Sequence, residues 1–356
     1  MKDYYSPADF IKSPKYDAHI HYPAFNDLFV RKAKKANIRL LSINTDFDEL
    51  PMNTQFEICQ LLHQRHPQTF DFVCTFDATK FDSKTFAEDT VKHIKNCMAA
   101  GARGVKIWKN IGMTIKNEAG QFLMADDPVF DPIYAFLEKE KIPLLAHLGE
   151  PRNCWLPLDR IANEDDRRYF SKNPNFHMYL HTEAPTYEQH LMVRDNILER
   201  FHGLIFVGAH LGSMEWSLEE VAKRLDKFPN FYVDLAGRFD NIFEQTLRNR
   251  KYVSDFFQHY QNRIVYGGLD HVTPGSGLKY QFCKYLPQLY LYLLFVVAYR
   301  AIKKHWLFLA TDGLIKTGRT TNKSEPPEQI EGLKLSKNIV DRIFYENIQS
   351  IYFRAS

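Results

Sequence analysis

Short apolar or β-branched runs alternate with longer amphipathic ones along the chain, beginning with KYDAHI at 15–20. Seven more follow: IRLLSIN (38–44), DFVCTF (71–76), RGVKIW (103–108), PLLAH (143–147), LIFVGA (204–209), NFYVDL (230–235) and RIVYGG (263–268). They are too apolar to leave one face in water, which predicts strands covered on both sides. Helix-like segments lie between them, among them TFAEDTVKHIKNCMAAG, where Phe86, Val91, Ile94, Cys97 and Met98 recur at three- and four-residue steps and Gly101 supplies a stop. Eight strand-then-helix units predict an α/β fold with a parallel sheet closed into a (β/α)8 TIM barrel. An open doubly wound sheet is the alternative, but no glycine-rich phosphate turn follows the first strand. With no internal repeat, residues 1–356 are expected to form a single domain.

Two stretches exceed a minimal barrel. Residues 150–183 follow the fifth strand and are far longer than the usual connection of about 2 to 6 residues. A loop there sits on the catalytic face and is either a lid offering Arg152, Trp155 and His181 to substrate or a structured excursion without that role. Residues 271–356 are expected to be a mostly helical extension. Within it, YLPQLYLYLLFVVAYRAI (285–302) is the most apolar window. Its uninterrupted run is shorter than the roughly 18 to 20 residues of a membrane span, so a buried or subunit-facing helix is expected, and with it a possible homo-oligomer.

Composition narrows the partners. The 46 basic and 43 acidic residues are spread along the chain with a net charge of +3, so there is no basic block for nucleic acid, and a small-molecule partner is expected. The five cysteines, Cys59, Cys74, Cys97, Cys154 and Cys283, are odd in number and lack a CxxC pair, which fits reduced thiols. The start MKDYYSPADFIKS has no apolar core of a signal peptide, so a cytoplasmic protein is expected.

The chemistry gathers at strand ends. Alternation along the first strand puts Asp17, His19 and His21 on one face and Ala18 and Ile20 on the other, so the polar triplet is expected to face the barrel axis. An HxH pair alone is weak evidence. His147, His210 and Asp270, however, end the fifth, sixth and eighth strands, and four strand ends converging on one cavity assemble imidazoles and a carboxylate suited to zinc or a similar metal.

DAHIH, GVKIW, AHLGEP, GAHLGS and YGGLD, in this order, resemble the amidohydrolase superfamily, in particular its amidohydrolase-related branch of metal-dependent hydrolases and decarboxylases. The ending IFYENIQSIYF is similar to the helix, usually carrying an Asn-Ala pair, that closes such chains. By position the resemblance implies that His19, His21, His147 and Asp270 bind the metal. Asp270 would also move protons, and His210 would contact the attacking water or the substrate, or bind a second ion. Lys106, in GVKIW, corresponds either to the carboxylated lysine that bridges two metals or to a cation that holds a substrate carboxylate; one ion, zinc, with Lys106 near the substrate is the favoured arrangement. A lysine paired with Asp17 is the plain structural alternative. The expected activity is hydrolysis of a small amide, lactone or ester by an activated water, with decarboxylation as the rival reaction on the same ligands and a non-catalytic barrel as a third possibility. The run LFLATD (307–312) also ends in aspartate, and Asp312 would replace Asp270 if that run were the last strand.

Overall fold

Each of the eight runs forms a strand in the computed structural model, which describes residues 3–22, 24–46, 50–161, 164–268, 288–317 and 328–353. The strands are β1 (Lys15–Ile20), β2 (Ile38–Ile43), β3 (Phe70–Thr75), β4 (Val105–Ile107), β5 (Leu144–Ala146), β6 (Phe206–Gly208), β7 (Phe231–Asp234) and β8 (Ile264–Val265). They pair in sequence order, every pair parallel. Between the outermost two, Ala18 N–H donates to Tyr266 O at 2.9 Å, so the sheet is a nearly closed barrel.

The strands sort their apolar side chains onto two faces. Tyr16, Ala18, Leu41, Ile43, Val73, Leu145, Val207 and Val265 form one cluster; strands this far apart in the sheet meet only across the axis. Residues of opposite parity, such as Leu40, Phe72, Val105, Ile107, Leu144, Phe206 and Val233, belong to the larger core shared with the helices. Lys106, flanked by Val105 and Ile107, therefore faces the axis.

The expected alternation on β1 is corrected here. Asp17 pairs with Leu40 but Ile20 with Ser42, so β1 spends one more residue than β2 over this interval. The bulge reverses parity: Ala18 lies in the axial cluster and Ile20 in the outer one. Tyr16 and Ala18 belong to the axial cluster, and the odd-numbered His19, within the bulge, joins the other site histidines. Asp17, below it, accepts the N–H of both His19 (3.2 Å) and Gly268 (2.7 Å), tying β1 to the end of β8.

The base of the barrel is plugged by the last helical segment among the described residues. Ile348, Ile351 and Tyr352 complete the axial cluster. A π-type turn at Arg342–Glu346 leaves Ile343 O to accept Tyr266 N–H at 2.9 Å. Asn347 Nδ2 donates to Gln261 O (2.6 Å) and Ile264 O (2.7 Å). Replacing Asn347 with Ala is expected to strand those carbonyls and cost about 2–4 kcal/mol, read as a lower urea midpoint; an unchanged midpoint would count against this plug.

The apolar window lies in helix Gln288–Ala310, where Trp306 is fully buried while Leu289, Leu293 and Val297 are exposed. Among the described residues no helix is long and apolar enough to cross a membrane. LFLATD is not a strand. Residues 307–310 complete this helix, and Asp312 beyond it is exposed and paired with Lys334 at 2.5 Å, which removes it as a last-strand carboxylate. Within 150–183, residues 150–161 and 164–183 fold into short turns and helix Glu164–Lys172 around a small core of Cys154, Ile161 and Phe170. The described cysteines are buried free thiols; Cys283 lies outside the described residues.

Candidate active site

At the upper end of the barrel His19, His21, His147 and His210 stand together. Ring centroids are 5.3 Å apart for His19 and His21, 4.8 Å for His19 and His210, and 4.5 Å for His147 and His210. All but His21 are buried. Asp270 and His271 lie outside the described residues.

The acceptors around these rings fix their tautomers. His21 Nδ1 is 2.8 Å from Ile43 O, and His210 Nδ1 is 2.8 Å from Ala236 O. A carbonyl oxygen only accepts, so both Nδ1 atoms carry a proton, and in the neutral ring Nε2 holds the lone pair. His19 Nδ1 lies 2.7 Å from Asp234 Oδ2, and a carboxylate imposes the same tautomer. Metal-binding histidines are oriented in this way by carbonyls and carboxylates behind them. The donor atoms of His19, His210 and Asp234 all lie within 4.8 Å of one another. The donor set therefore fits a divalent ion: imidazoles in a buried pocket, turned by the acceptors at Nδ1.

Asp234, the last residue of β7, was not foreseen as a functional residue. It accepts His210 N–H (2.8 Å) and Ala236 N–H (3.0 Å) at Oδ1 and faces His19 with Oδ2. Burial opposes its ionisation, but the His19 imidazole and these donors hold the carboxyl well below the usual range. The signal was in the sequence: like His147 and His210, Asp234 is a polar residue ending an apolar strand.

His210 is presented by an unusual backbone. His210 (φ 57°), Leu211 (φ 58°), Gly212 (φ 63°) and Ser213 (φ 60°) make a left-handed turn. Only glycine enters this region freely; each other residue costs roughly 1–2 kcal/mol. The turn is pinned from several sides. Ser213 Oγ donates to Leu148 O (2.9 Å), Arg194 Nη1 to Gly212 O (2.8 Å) and Tyr187 Oη to Ser213 O (2.5 Å). Strain held by the surroundings in this way aims a side chain that a relaxed turn would release.

The remaining candidates divide. Lys106 is buried on β4 and faces the axis. Arg152 lays its guanidinium 4.2 Å from the centre of the Trp216 ring and donates its backbone N–H to Glu215 at 3.0 Å. Trp155 Nε1 donates to Pro185 O (3.1 Å), and its ring packs on Tyr187 and His190, so its contacts fasten the loop. His181 does not join the histidine cluster: its described partners, Pro174 O at 3.1 Å and Glu183 at 3.8 Å, belong to its own loop.

Solved structures are similar to the chain at low identity. The 2,6-dihydroxybenzoate decarboxylase of Rhizobium is 13% identical with a TM-score of 0.51, over 96% of this chain and 99% of that one. A Polaromonas dihydroxybenzoic acid decarboxylase, solved with bound manganese and 2-nitroresorcinol, is 13% identical with a TM-score of 0.49, over 96% and 98% of the two chains. A probable 2-pyrone-4,6-dicarboxylic acid hydrolase of Acinetobacter baumannii, with citric acid bound, is 12% identical with a TM-score of 0.49, over 96% and 99%. No curated protein matches the chain in sequence. The family model described as Amidohydrolase matches residues 83–354, spanning β4 to the helical plug, and with a parallel barrel and imidazoles gathered at its strand ends the chain belongs to the amidohydrolase family.

Proposed function

We propose that this amidohydrolase is a metal-dependent hydrolase of a small amide, lactone or ester. In this reading one divalent ion, zinc, is held by His19, His21, His147 and Asp270, the last assigned from sequence, and residues 1–356 form one catalytic domain. The observation that carries it is the set of acceptors behind the rings: Ile43 O, Asp234 and Ala236 O each take an Nδ1 proton and leave Nε2 able to ligate or accept. When bound, such an ion supplies Lewis acidity, lowering the pKa of water from about 15.7 toward about 7 and polarising a carbonyl.

The chain's own residues then divide the work. His210, neutral and protonated on Nδ1, offers only an acceptor toward the cavity, which suits it to hold a hydrogen of the attacking water and orient its lone pair. Asp270 takes the proton of that water and passes it to the leaving group. Lys106, facing the axis, is assigned to a substrate carboxylate.

The test is metal analysis of protein expressed with zinc, manganese and iron supplied, together with a panel of amides, lactones, esters and small carboxylic acids. Near-stoichiometric metal and hydrolysis products are expected. Carbon dioxide released from a carboxylic acid without hydrolysis of any panel member would overturn this reading in favour of a decarboxylase, and metal-free protein would remove both.

A further inference from the structure

The left-handed turn that presents His210 is held from outside by one helix, Tyr187–Arg200. Tyr187 and Arg194 stand about two turns apart on it, on one face, and both are buried. Tyr187 Oη donates to Ser213 O at 2.5 Å and Arg194 Nη1 to Gly212 O at 2.8 Å. The rest of the guanidinium is occupied: Nε (3.0 Å) and Nη2 (2.7 Å) both donate to Asp195 Oδ1, which fixes the fork and leaves Nη1 aimed at the turn. A Cβ at Gly212 would stand 2.9 Å from the Phe231 ring and 3.2 Å from Arg194 Nη1. Glycine, at φ 63°, is therefore what lets the guanidinium come up to this backbone.

The same turn reaches a second histidine. Ser213 Oγ donates to Leu148 O at 2.9 Å, in the residue after His147, and the His147 and His210 rings are 4.5 Å apart. Three non-glycine residues of the turn, His210, Leu211 and Ser213, have positive φ, a backbone that persists only where its surroundings impose it. We propose that Arg194, with Tyr187 beside it, is a positioning residue that acts through His210, holding the left-handed turn so that the His210 ring keeps its place beside His147. This deepens the hydrolase reading and rests on His210 as the residue that holds the attacking water. An arginine that only stabilised the fold would lower the melting temperature and leave both the His210 ring and the turnover of folded protein as they are.

The test uses the full chain, isotope-labelled at the histidine nitrogens for NMR, with the His210 signals assigned by their loss in His210→Gln. Arg194→Met is expected to move the His210 Nδ1 signal and to leave that of His63, which is bonded to Phe70 O at 2.9 Å and serves as the reference. With p-nitrophenyl acetate as substrate, kcat is expected to fall about 10- to 100-fold while KM stays within about twofold. Placed on His210→Ala, Arg194→Met is expected to add nothing further to the loss of kcat, since both changes act through one group. Tyr187→Phe, which keeps the ring and loses the hydroxyl, is expected to have the same effects more weakly, and it reads the clamp should Arg194→Met not fold. Folded variants with the His210 signal unmoved, or losses that add fully to that of His210→Ala, would overturn the proposal. A moved signal in protein that hydrolyses nothing would uphold the clamp and sink the hydrolase reading; hydrolysis at the wild-type kcat with the signal unmoved would do the opposite.

Discussion

Replacing His19 and His21 together with alanine is expected to yield a folded barrel that no longer retains a divalent ion. Both side chains belong to the histidine cluster, whereas the axial packing on β1 is made by Tyr16 and Ala18, so the double substitution leaves that core untouched. Its stability cost comes mainly from Asp234 Oδ2, which loses the His19 N–H in a buried setting, on the order of 1–3 kcal/mol. The metal loses two imidazoles of its proposed ligand set, and a site with half its ligands does not retain zinc through dialysis. The measurements are metal content after dialysis and circular dichroism of the same sample. A variant with wild-type metal content would sink the ligand assignment.

Asp234→Asn is a subtler change, expected to reduce metal affinity by about 10–100-fold, as outer-shell partners typically do. The asparagine oxygen can still accept His210 N–H and Ala236 N–H, preserving the β6–β7 connection. Its NH2, in place of Oδ2, faces His19 Nδ1 with a donor. His19 must then accept at Nδ1 and carry its proton on Nε2, the atom turned to the cavity, where it opposes ligation. Competition with a chromophoric chelator reads the affinity directly, and little change in melting temperature is expected alongside it. Wild-type affinity in this variant would mean that the carboxylate does not govern the His19 tautomer.

The barrel was legible because its strands carry a strong local signal, and all eight runs from KYDAHI to RIVYGG are strands. The histidines at their ends were legible for the same reason, since strand direction and fold class together imply where the ends meet. What escaped detection depends on tertiary register. Nothing in DAHIH announces that β1 carries an extra residue against β2, so Ala18 and Ile20 were expected on one face and lie on opposite ones. Leu211 has no local reason to adopt a left-handed backbone; the hydrogen bonds at Leu148, Gly212 and Ser213 impose it from distant parts of the chain. LFLATD resembles a strand by composition, yet it continues a long apolar helix, because an apolar run alone does not distinguish the two. His181 was drawn toward the site by its loop and turned away by that loop's own packing.

The plug at the barrel's base has a consequence for how the protein is made. Tyr16 and Arg39 stack near Phe353, and Asn347 and Ile343 close the seam beside β8. β1 thus finishes its packing only once residues 343–353 have emerged. Until then the lower axial residues, Ala18, Leu41 and Val265 among them, lack their cover. Contacts spanning nearly the whole chain slow folding, and an uncovered apolar mouth invites association between nascent chains. Chaperone demand during synthesis should therefore track completion of residues 343–353 and not of β8.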